Sequence, residues 1–373
     1  MPAKEISRPC MDCKDAEIVF TVRKRQLCSD CYKRFISYKV HRRLEPYRPT
    51  KQQETRPKIL VPLSLGVSSA VLLRIVDDQI QHQLAKVFSK VFFDLHILVI
   101  NPSSNININS SESFDQHYDA LLKEFPRHDH TRLSVHDIFD YIPDMKEIMH
   151  EYAGSQFSDD SSLSNEDRLA AFRGSVSTAS SKADLDYVLL TRLVAAVAQK
   201  NKCQTVFWGD SDSRLAAKAL AGVSKGRGAS MTWQVSDGMS PWGVRFEFPL
   251  RDLYKTELVQ YASACPELSD IVIPEPPLSD NVLTKNLSID ELMIRYVQTQ
   301  GAKYPGIMSN VARTANKLEH PGFDDAAGCA LCGGLLGNTK RNTGVTVTSQ
   351  SADSEGSQFC YGCMRSRPDP MLN

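Results

Sequence analysis

The chain has 373 residues, 42% hydrophobic and 24% charged, which excludes global disorder and predicts two or three domains around a sizeable core. Forty-four Lys/Arg balance forty-four Asp/Glu, yet residues 1–58 hold fifteen basic against seven acidic side chains, a local excess of +8. Such a basic start points to a polyanionic partner or, equally, to a solvated face. Residues 1–5 carry no apolar stretch of the kind a secretory signal needs, and the apolar runs Leu95–Ile100 and Leu193–Ala198 are of core length. The expectation is a cytosolic or nuclear protein without a membrane span, in which thiols stay reduced.

In chain order, the first element is a pair of C-x-x-C turns, Cys10 with Cys13 and Cys28 with Cys31, fourteen residues apart. Each turn presents two thiolates to one ion, and two turns complete a tetrahedral shell with no open position, so a structural zinc site is expected. Redox chemistry or iron–sulfur ligation is the alternative for such pairs. Arg23, Lys24 and Arg25 lie between the turns. Lys33, Arg34, Lys39, Arg42 and Arg43 follow, interleaved with Tyr32, Phe35 and Tyr38. Basic side chains neutralise phosphates and aromatics stack on unpaired bases, so Arg23, Lys24, Arg25, Arg42 and Arg43 are candidate nucleic-acid contacts, with a small helix core as the other reading. This module is assigned to residues 1–45, and the Pro-rich polar stretch 46–57 to a linker.

A strand is expected over Ile59–Pro62. The small-residue loop Ser64-Leu65-Gly66-Val67-Ser68-Ser69 comes next, then a helical pattern from Ala70. Further strands are expected over Phe92–Ile100, Arg132–Ile138, Gln204–Trp208 and Val244–Leu250, with a helix over Leu185–Lys200. Alternating strands and helices predict an α/β core over residues 58–325 with a doubly wound parallel sheet. Ser103–Ser113 and Ser155–Ser181 read as Ser/Asn-rich loops. Arg214, Lys218, Lys225 and Arg227 form a second basic stretch, and Arg214, Lys218 and Arg227 join the nucleic-acid candidates, although a solvated helix face reads equally well. Asp252, Lys255 and Glu257 are expected to cap and pair a helix start. Ser288 and Glu291 form a capping box before Leu292–Gln298, with another helix over Ile307–Leu318. The last module, residues 326–373, repeats the double C-x-x-C pattern with Cys329, Cys332, Cys360 and Cys363, twenty-seven residues separating the pairs. Gly333, Gly334 and Gly362 suit backbone approach to the sulfurs, and Val345–Gly356 reads as an exposed loop. Cys203 and Cys265 stand alone and read as buried apolar residues.

The strand–loop–helix at residues 59–70 has the form of a phosphate cradle, in which free N–H groups and the helix dipole attract an anion. It resembles the S-G-G-x-D-S loop of the ATP-pyrophosphatase (adenine nucleotide hydrolase-like) superfamily. Ser64, Gly66 and Ser69 match that pattern, while Leu65 replaces a Gly and Ser68 replaces the Asp. An ordinary strand–helix turn is the competing reading. A bulky side chain where backbone meets phosphate, and a hydroxyl in place of a magnesium-side carboxylate, put ATP binding in doubt.

The order of double C-x-x-C module, pyrophosphatase-like core and double C-x-x-C module resembles the cytoplasmic tRNA 2-thiolation protein family over nearly the whole chain. Gly209-Asp210-Ser211, Gly226-Arg227-Gly228 and the run Pro249 to Leu258 add to the likeness. The chain is similar to the family's second, non-catalytic type, because the loop is altered and no C-x-x-C lies between residues 32 and 328. The resemblance implies a cytoplasmic subunit for thiolation of the wobble uridine of tRNA. It implies tRNA as a partner, together with a catalytic paralogue that takes sulfur from a thiocarboxylated ubiquitin-related carrier. The alternatives are an active ATP-dependent tRNA sulfurtransferase and a zinc-ribbon adaptor that binds RNA or protein.

Overall fold

The computed structural model describes residues 8–49, 55–87, 89–101, 111–275, 287–318, 328–336 and 358–368. A hairpin of β1 (Phe20–Val22) and β2 (Arg25–Leu27) leads into α1 (Ser29–Leu44). The core then runs β3 (Lys58–Leu63), α2 (Val67–Leu84), β4 (Asp94–Asn101), α3 (Ser111–Glu124) and β5 (Asp129–Ser134). After it come α4 (Ile138–Tyr141), α5 (Met145–Ala153), α6 (Asn165–Gly174) and α7 (Ala179–Lys200). The second half continues with β6 (Thr205–Phe207), α8 (Asp212–Ser224), α9 (Met231–Gln234), β7 (Gly238–Met239), β8 (Arg245–Glu247) and α10 (Lys255–Ser263). The chain closes with α11 (Ile289–Lys303), α12 (Pro305–Ala315) and α13 (Tyr361–Ser366).

The strands from β3 to β8 form one sheet of order β5-β4-β3-β6-β8-β7, parallel except where the short edge strand β7 pairs antiparallel with β8. Side chains alternate along each strand, so both faces need cover. Leu60, Leu98, Ile100 and Val206 are buried on one face under α5, α6 and α7. Ile59, Val61, Leu63, Ile97, Val99 and Phe207 are buried on the other under α1, α2 and α10. Each such side chain contributes about 1.5–3 kcal/mol. Pro62 sits in a central strand without harm, because β6 pairs only with Ile59 and Leu60 and leaves that side of Pro62 outside the ladder.

The two cysteine modules join opposite faces. Cys10, Cys28 and Cys31 share a cluster with α2 and α10, whereas Cys329, Cys332 and Cys363 share one with α7. Tyr47, within the expected linker, packs edge-on against Phe93 and Phe207 at centroid distances of 5.8 and 5.3 Å.

Several expectations are corrected. The third strand is Asp129–Ser134 rather than Arg132–Ile138, because Ser134 N–H donates to Asp137 Oδ2 at 2.7 Å and starts a helical turn. Residues 155–181, expected as a loop, hold α6 and the start of α7, with loops at 157–164 and 175–178. Their polar side chains are caps, Ser164 accepting from Asp167 N–H and Thr178 from Ser181 N–H. The helix after the small-residue loop starts at Val67, three residues earlier than expected, so Ser68 and Ser69 lie in its first turn. Residues 103–110 and 345–356 lie outside the described residues, and 111–113 open α3. The capping box stands as expected, with Ser288 N–H donating to Glu291 Oε2 at 2.8 Å. The α11–α12 pair packs on α8.

Candidate metal centres and phosphate loop

In the N-terminal module, backbone bonds shape both cysteine turns. Cys10 N–H donates to the Ala16 carbonyl at 2.8 Å and its own carbonyl accepts from Lys14 at 3.0 Å. Cys28 precedes the first turn of α1 and Cys31 lies within it. The four Sγ atoms lie within 4.8 Å of one another, and Cys13 and Cys28 are 3.8 Å apart. At the other end, Cys329 N–H donates to the Gly334 carbonyl at 2.7 Å and Gly334 N–H donates to Cys332 Sγ at 3.4 Å. Cys360 precedes α13 and Cys363 lies inside it. These four sulfurs also lie within 4.8 Å, Cys332 and Cys360 being 3.5 Å apart. A tetrahedron with metal–sulfur bonds of about 2.3 Å has edges of about 3.8 Å. A cubane cluster, with each cysteine on its own iron, spreads its sulfurs to about 6 Å. Both thiol sets therefore fit one four-coordinate thiophilic ion.

Each module is fastened to the sheet by ionic contacts. Arg23 reaches Glu257 Oε1 at 2.7 Å and the Asp252 carbonyl at 2.6 Å, and its guanidinium lies 4.4 Å over the Tyr254 ring. Arg43 reaches Asp252 Oδ2 at 2.6 Å, and Tyr32 Oη donates to the Glu257 carbonyl at 2.7 Å. Asp252 and Glu257 thus form the seat of the N-terminal module as well as the start of α10, where Tyr254 N–H donates to Glu257 Oε2 at 2.8 Å. In the C-terminal module, Arg227 is 3% exposed and holds Asp184 at 2.5–2.9 Å while its Nη1 and Nη2 lie 3.5 Å from Cys363 Sγ. Burial opposes ionisation of Asp184, but Arg227 and Lys225 outweigh it and hold the carboxyl below its usual range. A Cβ on Gly362 would meet Arg227 Cγ at 2.7 Å, so only glycine admits the guanidinium there.

Of the expected nucleic-acid contacts, Arg227 is corrected to an internal role, since burial closes it to a phosphate. Arg23, Arg43 and Arg25 are ion-paired, the last with Asp12 at 2.5 Å. Lys218 holds Asp210 at 2.6 Å and lines, with Arg214, a cavity of about 470 Å³. Lys24, Arg42 and Arg214 are exposed and free of ion pairs among the described residues. Phe35 is half-buried in the small core beside α1 and Tyr38 is exposed.

The phosphate loop lies at the β3–β6 switch point, where doubly wound sheets bind ligands. Its polar groups bond within the chain. Leu65 takes a left-handed φ of 55° and is buried, its carbonyl accepting from Ile273 N–H at 2.8 Å. Gly66 N–H donates to Ser64 Oγ at 3.3 Å, and Ser69 Oγ donates to the Gly66 carbonyl at 3.0 Å. A Cβ on Gly209 would meet Ser69 Cα at 2.7 Å, so the β6–α8 turn presses on the start of α2. Asp212, in the first turn of α8, is buried and accepts from Ser309 Oγ at 2.9 Å, and burial pushes its carboxyl up to about 6. Cys203 and Cys265 are buried, which pushes each thiol up to about 11. Neither is a reactive thiolate at neutral pH.

The roles of Asp184, Lys225 and Gly209 escaped the sequence reading. The available signal for Asp184 was a carboxylate inside the apolar helix 179–200, which needs a buried partner.

A family model described as "Cytoplasmic tRNA 2-thiolation protein 2" matches residues 288–365. A protein of that name from Aspergillus clavatus is 51% identical over 99% of both chains. One from Neosartorya fischeri is 53% identical, also over 99% of both. Among solved structures, the U34-tRNA thiolase NcsA of Methanococcus maripaludis, determined with its [4Fe–4S] cluster, superposes with a TM-score of 0.57 at 14% identity, covering 88% of this chain and 92% of that one. At that identity the likeness establishes a shared fold, an α/β unit with a mostly parallel sheet.

Proposed function

The chain belongs to the cytoplasmic tRNA 2-thiolation protein 2 family, and on that premise we propose that it is the non-catalytic subunit of the complex that thiolates the wobble uridine of tRNA. Replacing the C2 oxygen by sulfur needs that oxygen activated, which the resembling enzymes do by adenylation with release of pyrophosphate, and then a sulfur nucleophile at the same carbon. The observation that carries the reading is the phosphate loop, where Leu65 is buried at positive φ and the Gly66 N–H is already taken by Ser64. Support also comes from the two lone cysteines, both buried and protonated at neutral pH.

Under this reading adenylation and sulfur transfer belong to a catalytic paralogue supplied by a thiocarboxylated ubiquitin-like carrier, and this chain contributes architecture and RNA-binding surface. The cysteine sets at residues 10–31 and 329–363 hold one structural zinc each. Such ions stabilise small modules that lack adequate cores and leave no open coordination position for chemistry.

The test is genetic and enzymatic together. Deleting the chain should abolish 2-thiouridine in tRNA nucleosides measured by mass spectrometry, while the purified chain releases no pyrophosphate from ATP with tRNA present. Pyrophosphate turnover by the isolated chain would make it a sulfurtransferase in its own right. Normal thiolation after deletion would leave an adaptor unconnected to the reaction.

A further inference from the structure

We propose that an RNA phosphodiester backbone docks in the groove between α1 and the α2–β4 connection, a location that rests on the tRNA-subunit reading and gives it an address. The groove has a volume of about 1380 Å³, and Lys33, Arg34, Arg48, Lys86 and Lys90 line it against two carboxylates, Asp30 and Asp78. Asp78 is already held by Arg74 at 3.1 Å, and Asp30 lies 3.8 Å from Lys33. Arg34, Arg48, Lys86 and Lys90 are exposed and free of ion pairs among the described residues. Arg23, Arg25 and Arg43, by contrast, are paired. Four of the unpaired cations of this region, Arg34, Arg48, Lys86 and Lys90, therefore collect in the groove, while Lys24 and Arg42 stand outside it.

Both walls are built. The connection is pinned to α2 where Phe92 N–H donates to Gln83 Oε1 at 3.0 Å, and Tyr261 Oη lies 3.4 Å from Ser37 Oγ of α1. The helix dipole accounts for Lys86 and Lys90, which follow the C-terminus of α2, but gives no reason for Arg34 in the first half of α1. Protein interfaces centre on large apolar or aromatic anchors. Among the described residues that line this groove the one exposed large aliphatic is Val87, set beside four unpaired cations, so a polyanion is the matching partner. The groove opens where β4 begins, at the opposite end of α2 from the phosphate loop, so RNA held here does not need the altered loop.

The experiment uses the full chain and an unmodified tRNA transcript, with fluorescence anisotropy read across a salt series. The variant replaces Arg34, Arg48, Lys86 and Lys90 by Gln, and a second replaces the exposed Lys123 and Lys146 by Gln as a charge control. All are surface positions, and metal content with thermal melting verifies folding. The groove variant should bind at least tenfold more weakly at physiological salt, with a log–log salt slope shallower by about 2–3 from the lost phosphate contacts. The control should bind as wild type. Wild-type affinity and slope in the groove variant would overturn the assignment, as would unchanged tRNA binding with loss of the catalytic paralogue from a pull-down, which makes the groove a protein surface. A wild-type chain that does not bind tRNA would instead remove the RNA-binding part of the functional reading itself.

Discussion

Replacing Arg227 by Met removes the central cation of a buried network and leaves its carboxylate in place. Arg227 and Asp184 are 3% and 2% exposed, and the pair makes contacts of 2.5–2.9 Å. Breaking such a pair costs about 3–5 kcal/mol, because the survivor is a buried charge without compensation. Lys225, 3.0 Å from Asp184, remains to offset part of this, which places the expected loss near the lower end, about 3 kcal/mol. A loss of that size lowers the melting temperature of a chain this long by about 4 °C. Cys363 also loses two N–H groups at 3.5 Å, so the C-terminal ion should leave faster to a chelator while the N-terminal ion leaves at its wild-type rate. Thermal unfolding and a chromophoric chelator assay read both effects. Adding Asp184→Leu should restore part of the stability, since the stranded carboxylate is then gone. A variant within about 1 kcal/mol of wild type, with unchanged metal release, would refute the view that this arginine locks the C-terminal module to the sheet.

Elemental analysis should find two zinc ions per chain and one after Cys28→Ser; iron, or full zinc in the variant, would count against four-thiolate zinc sites. Asp212→Asn tests the buried carboxyl, which burial pushes up to about 6. The folded state binds that proton more tightly than the unfolded state, so this group's contribution is present in acid and lost as pH rises from about 4 through about 6. The Asn variant should be more stable by about 2 kcal/mol at pH 8, with a flatter stability profile across that window, whereas a parallel profile would show that the carboxyl is not strained. Gly209→Ala should destabilise by about 1–3 kcal/mol, because the new methyl would stand 2.7 Å from Ser69 Cα; an unchanged melting temperature would mean that the two turns are not pressed together.

The sheet was legible where side-chain pattern and length agree. Ile59–Pro62 is a continuous apolar run and Phe92–Ile100 is one broken only by Asp94 and His96, and the strands found there shift by only one or two residues. The cysteine sets were legible because spacing alone constrains them. Residues 155–181 were not, since Ser and Thr signal both loops and helix caps, and only the backbone partner distinguishes the two. The fate of the arginines was hidden for a different reason. Asp184 is 43 residues from Arg227, and Glu257 is 234 residues from Arg23, so local charge counting credits both arginines to solvent or to a ligand. Charge density along the chain measures what is available for pairing, and the fold decides what stays available.

The turn at residues 64–69 is held by its own packing and hydrogen bonds. A left-handed backbone at a residue with a Cβ costs about 1–2 kcal/mol, yet Leu65 keeps φ at 55° where the resembling loop has glycine. The offset comes from the side chain: Leu65 is 1% exposed, and burying a leucine contributes about 1.5–3 kcal/mol. The leucine side chain therefore stabilises the turn through its place in the core. Gly66 N–H bonds to Ser64 rather than standing free for an anion. Unpaired cations lie elsewhere, Arg34, Arg48, Lys86 and Lys90 in the groove between α1 and the far end of α2.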